Sequence, residues 1–414
     1  MIREDFHPTH IEMPHAVISP PSLSVLLQNL AGILPLSALI EFIDITTKVH
    51  SFELNSTVAL WNWPVTPSGA RLLLSGEDTT NACCLDHMKR SIVLHCVDGR
   101  YGDWYPSSTP TTTRLCVSAQ KSVTVVPNTS PNMADVMGRK QNLEVVRITQ
   151  QAPRVAELPS KSHLPFYRAV FSGLQAHSIK YTFVSAVGWL CLVGLVIVSL
   201  LAQLYVAAAY LLLMPLTGIL IQFSHGGKPR RLLDERTSEF QRLVVATNSL
   251  NGSEWWAFYG GSFTLNSLLN KPLYRIGNPS NPKSLRRLLR VVIAAQWVLI
   301  VIACAQQSWE AFVISFWIAI CACVSTYAYP LESSVQDWLQ NTCNLSMERI
   351  QAEFSSRRSM LVAMVYLNPD SKEQRTQWID PILAPSADRR DWESTLFAVM
   401  ATGMSLTPRP PVAE

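Results

Sequence analysis

Residues Thr182–Phe223 read TFVSAVGWLCLVGLVIVSLLAQLYVAAAYLLLMPLTGILIQF, a run without a single Asp, Glu, Lys or Arg. A bilayer core of ~30 Å is crossed by about 20 helical residues, so this run has the length of two spans. Gln203, near its middle, is the natural place for a tight turn. Pro215 predicts a kink in the second helix, tolerated when neighbouring groups re-satisfy the backbone.

A second apolar block, Val291–Tyr329, is broken by Gln306, Gln307, Ser308, Trp309 and Glu310. It reads as two further spans joined by a short polar turn. Trp309 falls at one expected interface and Tyr327 and Tyr329 at the other, where amphipathic rings are favoured. The fold class that follows is a mainly α, polytopic membrane protein with about four transmembrane helices in two hairpins and α+β soluble flanks. Lys161, Arg168 and Lys180 precede the first block and Lys228, Arg230, Arg231 and Arg236 follow it. Lys283, Arg286, Arg287 and Arg290 precede the second, and neither hairpin turn carries a basic residue. By the positive-inside rule both hairpins enter from the cytoplasm, leaving the middle loop and the C-terminus there.

The divisions expected are 1–45 as an N-terminal segment, 46–165 as a Ser/Thr/Pro-rich region, and hairpins at 182–223 and 291–329. The stretch 224–290 is a cytoplasmic loop with a β-hairpin, and 330–414 a helical cytoplasmic tail. Within the first segment, Leu23–Ile43 is apolar but carries Gln28, Asn29, Pro35 and Glu41, so it suits either a further span or a buried or interfacial helix. Met1–His15 lacks the layout of a signal peptide, which makes the spans themselves the expected insertion signals.

Composition agrees with this division. Of 414 residues, 48% are apolar and 15% charged, against a charged share near ~25% in globular chains. A net charge of +4 with no basic run argues against nucleic acid as a partner. The partners expected are the lipid bilayer and other proteins within it.

In the flanks, Ser91–Cys96 and Ser122–Pro127 read as strands, and Pro106–Thr113 and Asn128–Asn132 as loops. Arg242–Thr247 and Glu254–Tyr259 flank Asn251–Gly252, a hairpin-turn signal. Phe263–Asn270 reads as a helix ending at Lys271–Pro272. Val335–Tyr366 suggests helices with Ile350, Phe354 and Leu361 on one face. Ser386 is a good N-cap with Asp388 in the first turn, for a helix that would bury Trp392, Leu396 and Val399.

Chemistry is sparse. The nine histidines all lie at or before His225, so a site built only from the later chain works without imidazole. His87 and His95 with Cys83, Cys84 and Cys96 form a metal-like cluster, but its spacing matches no standard zinc signature and no metal is assigned. Nine cysteines give no even disulfide framework. Cys191, Cys304, Cys321 and Cys323 fall in the apolar blocks as small apolar residues. Gly226–Gly227–Lys228 fails as a phosphate loop because Pro229 follows the lysine. Lys228, Arg230 and Arg231 suit topology and interface anchoring first and anionic lipid head groups second. Asp370, Asp380 and Asp388 lack the close pairing of a magnesium-diphosphate site. No cofactor is implied.

The spans hold no ionisable side chain except cysteine and tyrosine, which disfavours proton-coupled transport. Asn55, Asn128, Asn251 and Asn344 begin glycosylation triplets. Of these, Asn55 and Asn128 would be usable if their region were lumenal.

From Tyr205 onward, several stretches carry a family resemblance: AAAYLLLMPLTG (207–218), RLVVATNSLNGSEWW (242–256), SLLNKPLYR (267–275), SVQDWLQ (334–340), FSSRRSMLVAMVYLNPD (354–370) and WIDPILAP (378–385). On these the chain resembles an uncharacterised family of integral membrane proteins from filamentous fungi. The resemblance implies location and fold and assigns no activity. The leading expectation is an accessory or structural membrane protein. One alternative is a membrane-embedded biosynthetic enzyme acting on an apolar substrate at the cytoplasmic mouth, with Glu254, Lys271, Arg275 and Asp337 as its candidate catalytic residues. Another is a small channel or transporter.

Overall fold

The computed structural model describes residues 23–41, 44–55, 59–74, 83–87, 93–125, 139–151, 179–224, 229–234, 236–275, 282–373 and 376–402. Its helices in chain order begin with α1 (Leu23–Glu41), α2 (Ile45–Asn55), α3 (Pro67–Leu74), α4 (Cys84–His87) and α5 (Pro110–Ser118). Next come α6 (Ile179–Leu201), α7 (Tyr205–Ser224), α8 (Ser262–Leu265), α9 (Pro282–Gln306) and α10 (Trp309–Cys323). The last are α11 (Leu331–Asp337), α12 (Arg357–Leu367) and α13 (Ala387–Ala401).

Among the described residues, four helices are long and apolar enough to cross a membrane: Tyr181–Leu201, Tyr205–Ser224, Lys283–Gln306 and Trp309–Ala328. They form two hairpins, and each reverses at a glutamine in the left-handed region, Gln203 at φ 58° and Gln307 at φ 49°. Both turns fall where the polar interruptions predict. The tips are joined by Glu310, whose Oε1 accepts from the Val206 amide at 3.3 Å at the start of α7. A carboxylate there satisfies an orphan helix donor and favours the positive end of the dipole. Glu310 is thus buried rather than solvated in a turn. Helix α1 packs along α9 and α10, with Val25, Leu27, Leu30, Ile33 and Leu36 outward.

Between α2 and α3 the chain runs through Ala59–Thr66 without regular structure, and Trp61, Asn62, Trp63, Val65 and Thr66 are all buried. This segment lies among the apolar helices. A Cβ on Gly188 would stand 2.1 Å from the Trp61 ring, and one on Gly218 would stand 2.3 Å from the Leu60 carbonyl. Glycine at these two places lets the indoles and the backbone seat against the helices. The sequence reading assigned residues from 46 onward to a soluble flank, whereas α2 and Ala59–Thr66 pack into the bundle core.

The other layer is a seven-stranded mixed sheet. Its strands are β1 (His95–Asp98), β2 (Trp104–Pro106), β3 (Ser122–Val125), β4 (Gln141–Gln150), β6 (Gln241–Thr247), β7 (Glu254–Gly261) and β9 (Leu345–Phe354), in the order β2-β1-β6-β7-β4-β9-β3. The short β5 (Arg230–Arg231) and β8 (Tyr274–Arg275) pair apart from it. Strand alternation buries both faces. Val244, Ala246 and Phe258 face a core with Cys96, Val146, Leu268 and Trp338. Leu243, Val245, Trp255 and Ala257 face α12 and Trp378.

Three segments widely separated in sequence therefore build one domain: 95–150 supplies four strands, 241–261 two and 345–354 one. The middle loop forms the predicted hairpin, with Thr247 opposite Trp255. Its connection spans 248–253, and neither Asn251 nor Gly252 has positive φ.

Two elements differ from the sequence reading. Leu345–Phe354, expected as helix, is a strand flanked by β4 and β3. Cross-strand pairing on both edges outweighs the helical preference of MERIQAE. Pro106–Thr113, expected as loop, contains the start of α5, where Pro110 in the first turn gives up an amide that needs no intrahelical partner. At the C-terminus, Ser386 Oγ caps α13 by accepting from the Arg389 amide at 3.1 Å. Trp392 and Leu396 pack inward as predicted, while Val399 is exposed.

Candidate functional site

Helix α2 carries Lys48, His50 and Glu53, and all three are buried. At ~100° per residue, His50 and Glu53 (three apart) share a face, while Lys48 points to the opposite side. The helix is therefore a polar hub between the apolar bundle and the sheet.

On the bundle side, Lys48 Nζ donates to the Asn62 carbonyl and, at 2.9 Å, to Asn62 Oδ1, and it lies 4.7 Å from the centre of the Trp63 ring. Burial pushes the Lys48 ammonium down to about 7. Asn62 Nδ2 donates to the Cys321 carbonyl at 3.1 Å and to Ser325 Oγ at 3.0 Å. Gln296 of α9 accepts from the Val65 amide at 3.2 Å and donates to the Trp63 carbonyl at 3.3 Å and to Thr217 Oγ1 at 2.6 Å. These side chains supply the hydrogen bonds that an extended segment cannot make for itself among apolar helices.

On the sheet side, Glu53 Oε1 pairs with Arg230 Nη2 at 3.0 Å, and Glu53 Oε2 accepts from the Cys84 amide at 2.7 Å. Arg230 Nη1 donates to the Leu273 carbonyl at 3.0 Å, and the Arg230 carbonyl accepts from Trp338 Nε1 at 2.8 Å. His50 Nδ1 lies 3.4 Å from the Leu85 amide that donates to it, and Nε2 lies 3.3 Å from Thr112 Oγ1. Asp86 accepts from the Thr112 hydroxyl, and from the amides of Thr111 at 2.8 Å and Thr112 at 3.1 Å. With Nδ1 an acceptor, the ring proton sits on Nε2 and points to Thr112, whose own proton points to Asp86. Burial depresses His50 and holds it neutral, and burial pushes the Cys83 thiol beside it well up.

The sequence candidates sit on β7, before and within β8, and on α11. Glu254 is exposed at the start of β7, within electrostatic reach of Arg114. Lys271 pairs with Asp234 at 4.0 Å, and Asp337 is exposed at the end of α11. Arg275 pairs through its backbone with Arg230.

The metal-like group also separates. His95 stacks on Trp104 at 4.9 Å, Cys84 packs into the bundle core, and Cys96 shares the sheet core with Cys83. The His87 side chain lies outside the described residues. Cys83 instead meets His50 and Asp86, whose ligand atoms with its own all lie within 4.8 Å. His50 is 33 residues upstream of Cys83, and no local motif flags it.

Arg230, read as an interface anchor, is an interior ion-pair partner, while Lys228 lies outside the described residues. Asn55 Nδ2 donates to the Ser334 carbonyl at 2.6 Å, which engages the atom a glycan would occupy. Asn128 lies outside the described residues. All nine cysteines are free thiols.

Comparison of the chain with protein-family models, with curated proteins and with solved structures finds no match.

Proposed function

We propose that the chain is a multi-pass membrane protein with an accessory or structural role, holding a rigid sheet domain against the cytoplasmic face of the bilayer. The observation that carries this reading is the use made of buried polar groups. Lys48, Glu53, Gln296 and Arg230 each bind another layer of the same chain, so polarity that could serve chemistry serves assembly.

Membrane placement is supported by the outward faces of the four long helices, where Leu190, Leu201, Leu212, Val298 and Phe316 are exposed. Exposed apolar area costs about 25 cal/mol per Å² in water and nothing against lipid tails. Arg287 and Arg290 are exposed at the start of α9, the end of the bundle that leads to the sheet, which supports a cytoplasmic sheet domain.

The enzyme alternative is tested with Glu254→Ala, Lys271→Ala, Arg275→Ala and Asp337→Ala beside Glu53→Ala in the native host. The accessory reading predicts an unchanged lipid and metabolite profile for the first four, and loss of protein abundance for Glu53→Ala. A metabolite lost at normal abundance in any of the four overturns it.

A further inference from the structure

We propose that His50, Cys83 and Asp86 form a zinc site that clamps α2 to the layer beneath the sheet. Three facts converge on it. The ligand atoms of an imidazole, a thiol and a carboxylate lie within 4.8 Å of one another, so side-chain shifts of about 1 Å bring them to the ~3.3–3.6 Å edges of a tetrahedral zinc site. Asp86 lies in the single turn of α4 and Cys83 immediately precedes that turn, three residues away, so one short segment brings both ligands to the site. His50 approaches from a second helix, so the three close a cross-link between elements 33 residues apart in sequence.

The surroundings fit the ligand chemistry. His50 Nε2 faces Thr112 Oγ1, and Nδ1 faces α4, where it accepts from the Leu85 amide at a long 3.4 Å, a weak bond that zinc would replace. The amides of Thr111 and Thr112 orient the Asp86 carboxylate, as outer-shell donors orient zinc ligands. The ligand set of nitrogen, sulfur and oxygen suits zinc over magnesium or calcium, which take oxygen alone. Binding replaces the Cys83 thiol proton, released to solvent, with the cation. The charges of thiolate, carboxylate and zinc then cancel, and Glu53 already neutralises the neighbouring Arg230. A water completes four ligands.

The test uses the full chain purified in detergent without chelator. Elemental analysis is expected to find about one zinc per chain, a cation lost in Cys83→Ser and retained in Cys96→Ser and Cys116→Ser, which alter buried thiols of the same layer. Thr112→Val, which removes the outer-shell hydroxyl, is expected to weaken zinc by about 10–100-fold. Because Cys83→Ser can misfold, cobalt replacement in the unaltered chain gives an independent readout, a thiolate-to-cobalt charge-transfer band with tetrahedral d–d transitions. Substoichiometric zinc with no such band overturns the proposal and leaves a hydrogen-bonded network. Zinc retained by a folded Cys83→Ser overturns it as well. Metal content reads independently of membrane topology, so the two proposals fail separately.

Discussion

The Arg230 guanidinium and the Glu53 carboxylate meet at 3.0 Å with each side chain 1% exposed, although 177 residues separate them in the chain. Glu53 belongs to a helix packed under the bundle, and Arg230 to the first strand after the first hairpin. Their contact fastens the N-terminal segment to the middle loop. Neither charge has solvent to fall back on if the other is removed.

Arg230→Met is therefore expected to destabilise the protein by about 3–5 kcal/mol, because it strands a buried carboxylate. Glu53→Met with Arg230→Met removes both charges and is expected to cost less than Arg230→Met alone. Thermal unfolding in detergent of the two variants checks the order, and a double variant weaker than the single would refute it.

The glycines that seat Ala59–Thr66 give a steric prediction. Gly218→Ala puts a Cβ 2.3 Å from the Leu60 carbonyl, a backbone atom with little room to move, whereas a Cβ at Gly194 of α6 meets nothing within 4 Å. Gly218→Ala is expected to cost about 1–3 kcal/mol by overpacking, and Gly194→Ala to be neutral or slightly stabilising through helix propensity. Equal unfolding midpoints for the two variants would place the tryptophan segment elsewhere.

Lys48 predicts a pH dependence. Its folded value near 7 lies below the ordinary 10.5, so between those limits the unfolded chain binds more protons than the folded one. Stability contributed through Lys48 therefore rises with pH across that window and is flat below it. Lys48→Met removes this slope. Unfolding midpoints of both proteins from pH 7 to pH 10 should converge or cross in the sense that favours the native lysine at high pH. A constant difference would show that Lys48 keeps its ordinary value in the folded protein.

What could be read from the sequence follows from which forces act locally. The two hairpins were legible because lipid-length apolar runs and polar interruptions are properties of contiguous residues, and the turns fall at Gln203 and Gln307. The Arg242–Tyr259 hairpin and the Ser386 cap were legible for the same reason. Leu345–Phe354 was not, because its strand character comes from β4 and β3, which lie some 200 residues upstream in the chain. The burial of Ala59–Thr66 depends on Gly188 and Gly218, and nothing in LWNWPVT alone reports them. In the candidate site, Cys83 was singled out with the wrong partners. Its neighbours His50 and Asp86 are brought to it by the packing of α2 against α4 and of α4 against α5.

The central claim is that three flanking segments form one sheet on one side of a membrane crossed by two hairpins. The most direct test is cysteine accessibility in sealed vesicles, using a membrane-impermeant maleimide on a chain lacking the exposed Cys191 and Cys323. Cysteines placed at the exposed Tyr101, Phe240 and Val399 sample the three segments, and one at Leu201 samples a hairpin tip. The account predicts labelling of the first three from the cytoplasmic side alone and of the tip from the other side alone. Labelling of Tyr101 and Phe240 from opposite sides would contradict it, since β1 and β6 could not then be neighbours.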